Sequence, residues 1–152
     1  MPGRLRFLAI IVGLAVDIVG SLALGFVFGI VLVVFHLMQG IPIQDIATQM
    51  DAKHLNQSVI FLLASLGVGG IGSLVGGFVT GWMAKASRVT NGFAMGILST
   101  LVSIPFWGTD PLWFNLLGVV MTMGMATTGA YFADLIFRRA PLPPRQHIIT
   151  PI

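Results

Sequence analysis

The chain has 152 residues, of which 56% are hydrophobic and only 9% are charged. Soluble domains carry about 25% charged residues, so this composition excludes a water-exposed globular surface and indicates a protein embedded in lipid. The absence of cysteine excludes disulfides, thiolate metal ligands and cysteine nucleophiles, and a net charge of +3 is too small for a nucleic-acid footprint.

Four apolar segments reach or approach the roughly 20 residues needed to cross a bilayer core. They cover residues 7–37, 59–84, 91–107 and 112–137. The connections at 85–90 and 108–111 are short, so the second, third and fourth segments are expected to form a series of antiparallel hairpins. The sequence therefore predicts an all-α, four-helix transmembrane bundle over 1–140, followed by an extended proline-rich tail at 141–152.

The first segment is longer than a bilayer requires. Its 31 residues, at about 1.5 Å each, span about 46 Å, against about 30 Å for the hydrocarbon core. A tilt of about 20° removes only a little of this excess. The segment is therefore expected to project beyond the membrane or to be covered there by another protein.

The long connection after the first segment contains an amphipathic pattern. Pro42 precedes apolar residues at helical spacing, with polar residues between them. These apolar residues are Ile43, Ile46, Ala47, Met50 and Leu55. The pattern predicts an interfacial helix on the outer membrane surface.

The positive charges predict the orientation, because short cytoplasmic loops carry an excess of Lys and Arg. Of the eight such residues, only Lys53 lies at the outer end of the predicted bundle. The other seven are Arg4, Arg6, Lys85, Arg88, Arg138, Arg139 and Arg145. Both termini are therefore predicted to be cytoplasmic, in a multi-pass protein of the cell membrane.

Small residues recur at every fourth position in all four segments. In lipid, helices associate where small side chains let their backbones approach closely. The predicted packing positions are Gly25, Gly29, Gly69, Ser73, Gly77, Gly81, Gly92, Gly96 and Gly118. A second stripe in the second segment is formed by Gly72, Gly76, Thr80 and Ala84. These stripes predict tight helix contacts, and they indicate no particular chemistry.

One stretch resembles a known group of proteins. Residues 76–84, GGFVTGWMA, are followed by a short basic turn and by NGFAMG at 91–96. Over residues 69–99 this pattern resembles uncharacterised small four-span prokaryotic membrane proteins with a glycine-rich second and third helix. The resemblance implies the same topology in a prokaryotic inner membrane. That group has no assigned activity, so no functional residue is carried over.

Two acids lie within or beside the apolar segments. Asp17 is well inside the first one, where a carboxylate costs at least about 2.5–3.5 kcal/mol on insertion scales. It is interpreted either as a proton or cation site or as a protonated or hydrogen-bonded acid that faces the bundle, for which Ser21 and either Thr127 or Thr128 are the candidate partners. The second acid is Asp134. It is expected to form an i, i+4 ion pair with Arg138.

No catalytic motif or metal-ligand set is recognisable. His36 and His54 bracket the outer loop without a carboxylate at ligand spacing. The sequence therefore predicts neither an enzyme nor a bound metal or cofactor.

The leading functional interpretation is a structural or accessory subunit. Small-residue stripes on more than one face and an over-long first segment favour packing against other transmembrane helices, in a hetero-complex or a homo-oligomer, with membrane lipid as the surrounding partner. The alternative is a small homo-oligomeric transporter or channel in which Asp17 lines the pathway. A transporter would ordinarily show more intramembrane polar residues and interrupted helices.

The orientation is testable by cysteine labelling, since the chain has no native cysteine. Single cysteines at Gly3, Ser87, Gln49 and Thr150 are exposed to an impermeant thiol reagent applied from outside. We expect labelling only at Gln49, because the Lys and Arg bias places the other three in the cytoplasm. Labelling of the Ser87 variant from outside would overturn the predicted topology.

Overall fold

The computed structural model describes residues 5–49, 58–108 and 110–137. The helices within them are α1 (Phe7–Met38), α2 (Ile43–Gln49), α3 (Val59–Ala84), α4 (Arg88–Ser103) and α5 (Leu112–Phe137). A 3-10 turn at Ile104–Phe106 extends α4. Four of these helices, α1, α3, α4 with its extension, and α5, are long and apolar enough to cross a membrane. The predicted all-α, four-helix architecture is thereby confirmed.

The helix α3 lies between α1 and α5 and makes its most extensive contacts with them. The helix α4 packs mainly on α5 and also touches α1 and α3. The hairpin series expected from the short turns is therefore only part of the arrangement. The main partner of α3 within that series is α5, which runs parallel to it, rather than its sequence neighbour α4. The reason lies in where the glycines of α3 face.

Two consecutive glycines give α3 two close interfaces. A Cβ atom on Gly76 would lie 2.6 Å from the carbonyl oxygen of Gly13 and 2.8 Å from the Cβ of Asp17, both on α1. A Cβ atom on Gly77 would overlap the carbonyl oxygen of Ala126 on α5. Successive helix positions point about 100° apart. The pair therefore faces two different helices.

The contact between α4 and α5 is built in the same way. A Cβ atom on Gly92 would overlap the Cβ of Ala130, and one on Gly96 would lie 3.0 Å from the Cα of Met123. From the other side, a Cβ atom on Gly81 of α3 would lie 2.8 Å from the Cα of Ala130. Ala130 is fully buried. Three helix backbones thus approach one another around small side chains.

A three-residue turn joins α3 to α4. Lys85 and Ser87 both adopt left-handed backbone conformations, with φ of 57° and 50°. This tight reversal lets α4 begin at Arg88, three residues before the start predicted at Asn91. We call this end of the bundle, where α1 and α4 begin and α3 and α5 end, the basic end.

Asn91 connects the basic end internally and is fully buried. Its Oδ1 accepts a 2.7 Å hydrogen bond from the backbone N–H of Arg6, which precedes α1. Its Nδ2 donates to the carbonyl oxygens of Ser87 at 2.9 Å and Ala86 at 3.4 Å. One amide side chain therefore holds the start of α1 against the turn before α4.

The helix α1 extends beyond α3 at the end of the bundle opposite the basic end. It has 32 residues and α3 has 26, which correspond to about 48 Å and about 39 Å. The rings of Phe28 and Phe61 stack at 5.8 Å near the start of α3. The rest of α1 continues beyond this contact to Met38.

The short helix α2 follows at the same end. A helix is predicted for this part of the outer loop, and its Ile46 is buried. Met50 and Leu55 of the predicted amphipathic pattern lie outside the described residues, as do Arg138 and the tail at 141–152.

The contact at Gly77 predicts a clear stability difference within one helix. Gly77→Ala forces a Cβ atom onto the backbone of α5, so we expect the free energy of unfolding to fall by about 1–3 kcal/mol. Gly69→Ala is the matched control, because a Cβ atom there meets none of the described residues within 4 Å. Thermal unfolding in mild detergent measures both variants. Equal melting temperatures would contradict the close approach of α3 to α5.

Candidate functional site

Asp17 lies in the middle of α1 with only 3% of its surface exposed. Ser21 donates to Oδ1 at 3.4 Å and Ser73 to the same oxygen at 3.1 Å. Ser99 donates to Oδ2 at 2.6 Å. Hydroxyl groups from α1, α3 and α4 therefore converge on the two oxygens of one carboxyl group.

Glycines bring these hydroxyls within reach. A Cβ atom on Gly13 would overlap Thr80 Oγ1, and one on Gly72 would overlap Ser21 Oγ. Without side chains at Gly13, Gly72 and Gly76, α1 lies close enough to α3 for Ser73 to reach the carboxyl group. The polar site is thus a consequence of the small-residue packing.

The predicted partners of Asp17 are partly corrected. Ser21 does donate to it, but Thr127 and Thr128 do not. Both threonines lie on α5 and donate to carbonyl oxygens of their own helix, those of Met123 at 2.7 Å and Gly124 at 2.8 Å. The reason is the order of the helices, since α3 lies between α1 and α5.

Ser73 and Ser99 are the partners that the sequence did not indicate. Ser73 was interpreted only as a small packing residue of α3, whereas its hydroxyl faces α1. The available signal was the need of a buried acid for donors on facing helices. Several hydroxyls lie at suitable depth on three helices, so that requirement alone does not choose among them.

Serine hydroxyls satisfy both oxygens of the carboxyl group. A hydroxyl can donate to or accept from a carboxyl group, so these contacts hold the acid whichever partner supplies the proton. A buried polar group left without such partners would cost about 1–3 kcal/mol. The arrangement stabilises the contact of α1 with α3 and α4.

Asp134 contacts a cation on another helix. Its Oδ1 lies 3.6 Å from Nη1 of Arg88, the first residue of α4. The guanidinium of Arg88 also lies over the ring of Phe137, 5.9 Å from its centroid. The predicted partner, Arg138, lies outside the described residues. The ion pair with Arg88 joins α4 to α5 at the basic end.

The predicted packing positions divide into two groups. Gly77, Gly81, Gly92 and Gly96 lie at helix contacts. Gly118 makes an ordinary van der Waals approach, 3.6 Å from a methyl carbon of Leu66.

At three of the predicted packing positions no other helix of the bundle lies close. A Cβ atom on Gly25, Gly29 or Gly69 would meet nothing within 4 Å among the described residues. These glycines face away from the described bundle. A contact with a helix of another chain stays a prediction. Gly129 is a contact that the spacing missed, since a Cβ atom there would overlap the carbonyl oxygen of Leu74.

No metal-ligand cluster is formed by the part of the chain that the structure describes. The Nδ1 atom of His36 lies 2.7 Å from the carbonyl oxygen of Leu32 on its own helix. His54 lies outside the described residues.

Fold and site together define a multi-pass helical membrane protein with a buried polar cluster. Comparison with protein families, with curated proteins and with solved structures found no match to this chain. The resemblance to small four-span prokaryotic proteins therefore stays a prediction.

The hydrogen bond from Ser99 can be tested against a neighbour on the same helix. Ser99→Ala removes the 2.6 Å bond to Asp17 and leaves a buried oxygen without this partner, so we expect the free energy of unfolding to fall by about 1–3 kcal/mol. Ser103→Ala is the control, because Ser103 donates only to the carbonyl oxygen of Thr100 on its own helix. Thermal unfolding in detergent compares the two variants.

In a background of Asp17→Leu, the cost of Ser99→Ala is expected to shrink, since the acceptor is already absent. An equal cost in both backgrounds would contradict a direct bond between the two side chains.

Proposed function

We propose that this chain is a structural or accessory subunit that packs against other transmembrane helices in an assembly of the cell membrane. The observation that supports this proposal is an open apolar groove on α1. Gly25 and Gly29, one turn apart, line it together with Phe26, Ile30, Val33 and Val34.

Exposure of apolar side chains does not support this proposal by itself, because lipid accepts them. The glycines do support it. A glycine inside a helix costs about 1 kcal/mol relative to alanine, and lipid offers no compensation for an absent side chain. Gly76 and Gly77 show what such positions do elsewhere in this chain, where each admits the backbone of a neighbouring helix. The same use at Gly25 and Gly29 requires a helix from outside the described bundle.

The length of α1 supports the same function. Its final turns extend past the stacked rings of Phe28 and Phe61, and Val31, Val34 and Phe35 are exposed there. A partner helix in the groove would cover this extension. A hetero-complex is favoured, and further copies of this chain are the other form of the assembly.

The state of Asp17 favours a structural protein over the alternative, a small transporter. Its carboxyl group is enclosed, and both oxygens accept hydrogen bonds from serines of the bundle. A transport site needs access for the ion or proton that it binds. The carboxyl group is instead engaged in holding three helices together.

Substitution in the groove tests the proposal. Gly25→Leu fills the groove at a position where a Cβ atom meets nothing within 4 Å among the described residues. We therefore expect an intact bundle whose association falls about tenfold, which lies within the cost of overpacking a contact. Gly124→Leu is the matched control, an exposed glycine of α5 where a Cβ atom also meets nothing within 4 Å. Crosslinking in native membranes and copurification in mild detergent measure association.

Two outcomes would contradict the proposal. Crosslinking that yields only monomer from the native chain would remove the subunit function. Loss of an ion or proton flux in proteoliposomes on Asp17→Asn, with association intact, would favour the transporter instead.

A further inference from the structure

A second groove lies at the basic end, between the start of α1 and the end of α3. It has a volume of about 570 Å³, within the range of roughly 300–1,000 Å³ typical of small-molecule sites. Its lining is formed by Arg6, Leu8, Ala9, Trp82, Met83 and Lys85. Among the described residues, the groove thus has two cationic side chains, four apolar ones and no acid.

The two cations of this groove are exposed and unpaired by carboxylates. Across residues 5–49, 58–108 and 110–137, no acid forms an ion pair with the side chain of Arg6 or Lys85. The nearby cation Arg88 differs, because it is buried and lies against Asp134. Two positively charged side chains therefore line one groove, and both are available to bind an anion.

The backbone beneath these cations is held in place by Asn91. This side chain accepts from the N–H of Arg6 and donates to the carbonyl oxygens of the turn that Lys85 begins. The two cations are thereby attached to one hydrogen-bonded unit. A fixed spacing of the two backbones that carry the cations lowers the ordering cost of binding a ligand between them.

The apolar lining identifies the kind of anion. Trp82 is 54% exposed, and tryptophan prefers the headgroup level of a membrane. Leu8 and Met83 lie beside it on the two facing helices. A free phosphate ion would make no apolar contact with these side chains, whereas a phospholipid has both a charged headgroup and apolar acyl chains.

We propose that this groove binds an anionic phospholipid, with the phosphate between Arg6 and Lys85 and an acyl chain along Leu8, Trp82 and Met83. Arginine offers a planar fork of donors that fits phosphate oxygens, and lysine adds a point charge. Basic grooves between transmembrane helices are suited to such headgroups on the cytoplasmic side, where the charge bias predicts this end to lie. The site is separate from the glycine groove of α1 and does not depend on its function.

Trp82 supplies the probe. Replacing Trp107 and Trp113 by Phe leaves it as the only one of the three tryptophans. The protein is reconstituted in phosphatidylcholine vesicles that contain a small, equal fraction of brominated phosphatidylglycerol or brominated phosphatidylcholine. Bromine quenches a tryptophan that it contacts. We expect the relative association constant from Trp82 quenching to favour phosphatidylglycerol at least about fivefold, the factor that one cation near an anionic surface contributes.

Single variants test which cations are responsible for the preference for phosphatidylglycerol. Arg6→Gln and Lys85→Gln should each lower it by about fivefold. Lys53→Gln removes the same charge from the connection between α2 and α3 and should leave it unchanged. Circular dichroism and thermal unfolding establish that each variant is folded.

Three results would overturn the proposal. Equal quenching by the two brominated lipids would show that the groove does not select a charged headgroup. A preference that survives both Arg6→Gln and Lys85→Gln would assign it to the general charge of the basic end. Loss of the preference on adding inorganic phosphate at constant ionic strength would show that the groove takes the free anion.

Discussion

The bundle depends on the close approach of helix backbones at Gly76 and Gly77. Lipid tails are as apolar as the helix surfaces, so no hydrophobic force drives these helices together, and van der Waals contact between backbones must do so. Because successive positions point about 100° apart, this one dipeptide serves both α1 and α5. The helix α4 then packs against them through Gly92 and Gly96, which meet Ala130 and Met123 of α5.

The polar contacts follow from this packing and occur at two levels. In the middle of the bundle, Asp17 is within reach of Ser73 because α1 and α3 meet at glycines, which place no side chains between the two helices. At the basic end, Asn91 attaches the start of α1 to the turn before α4, and Arg88 joins α4 to α5. Each buried polar group thus adds specificity to contacts that small residues have already permitted.

Two regions of α1 lie outside this tightly packed centre, and they differ in chemistry. Near its far end the exposed surface is apolar, with bare backbone at Gly25 and Gly29 that suits another helix. At its start, Arg6 shares a groove with Lys85 and Trp82 that suits a charged amphiphile. The proposed assembly surface and the proposed lipid site therefore lie at opposite ends of the same helix.

The sequence by itself determined the four spanning helices, the excess length of α1 and the small-residue stripes, because hydropathy, length and helical spacing are local properties. It misplaced the start of α4 by three residues, because the turn uses left-handed conformations at Lys85 and Ser87 and contains no glycine, the usual sequence signal for such a conformation. Only the tertiary structure decided that Gly77 meets α5 while Gly69 meets none of the described residues, and that Ser99 reaches Asp17. Spacing fixes which residues share a face of a helix. Which neighbour that face meets depends on the order and rotation of the helices, which long-range packing sets.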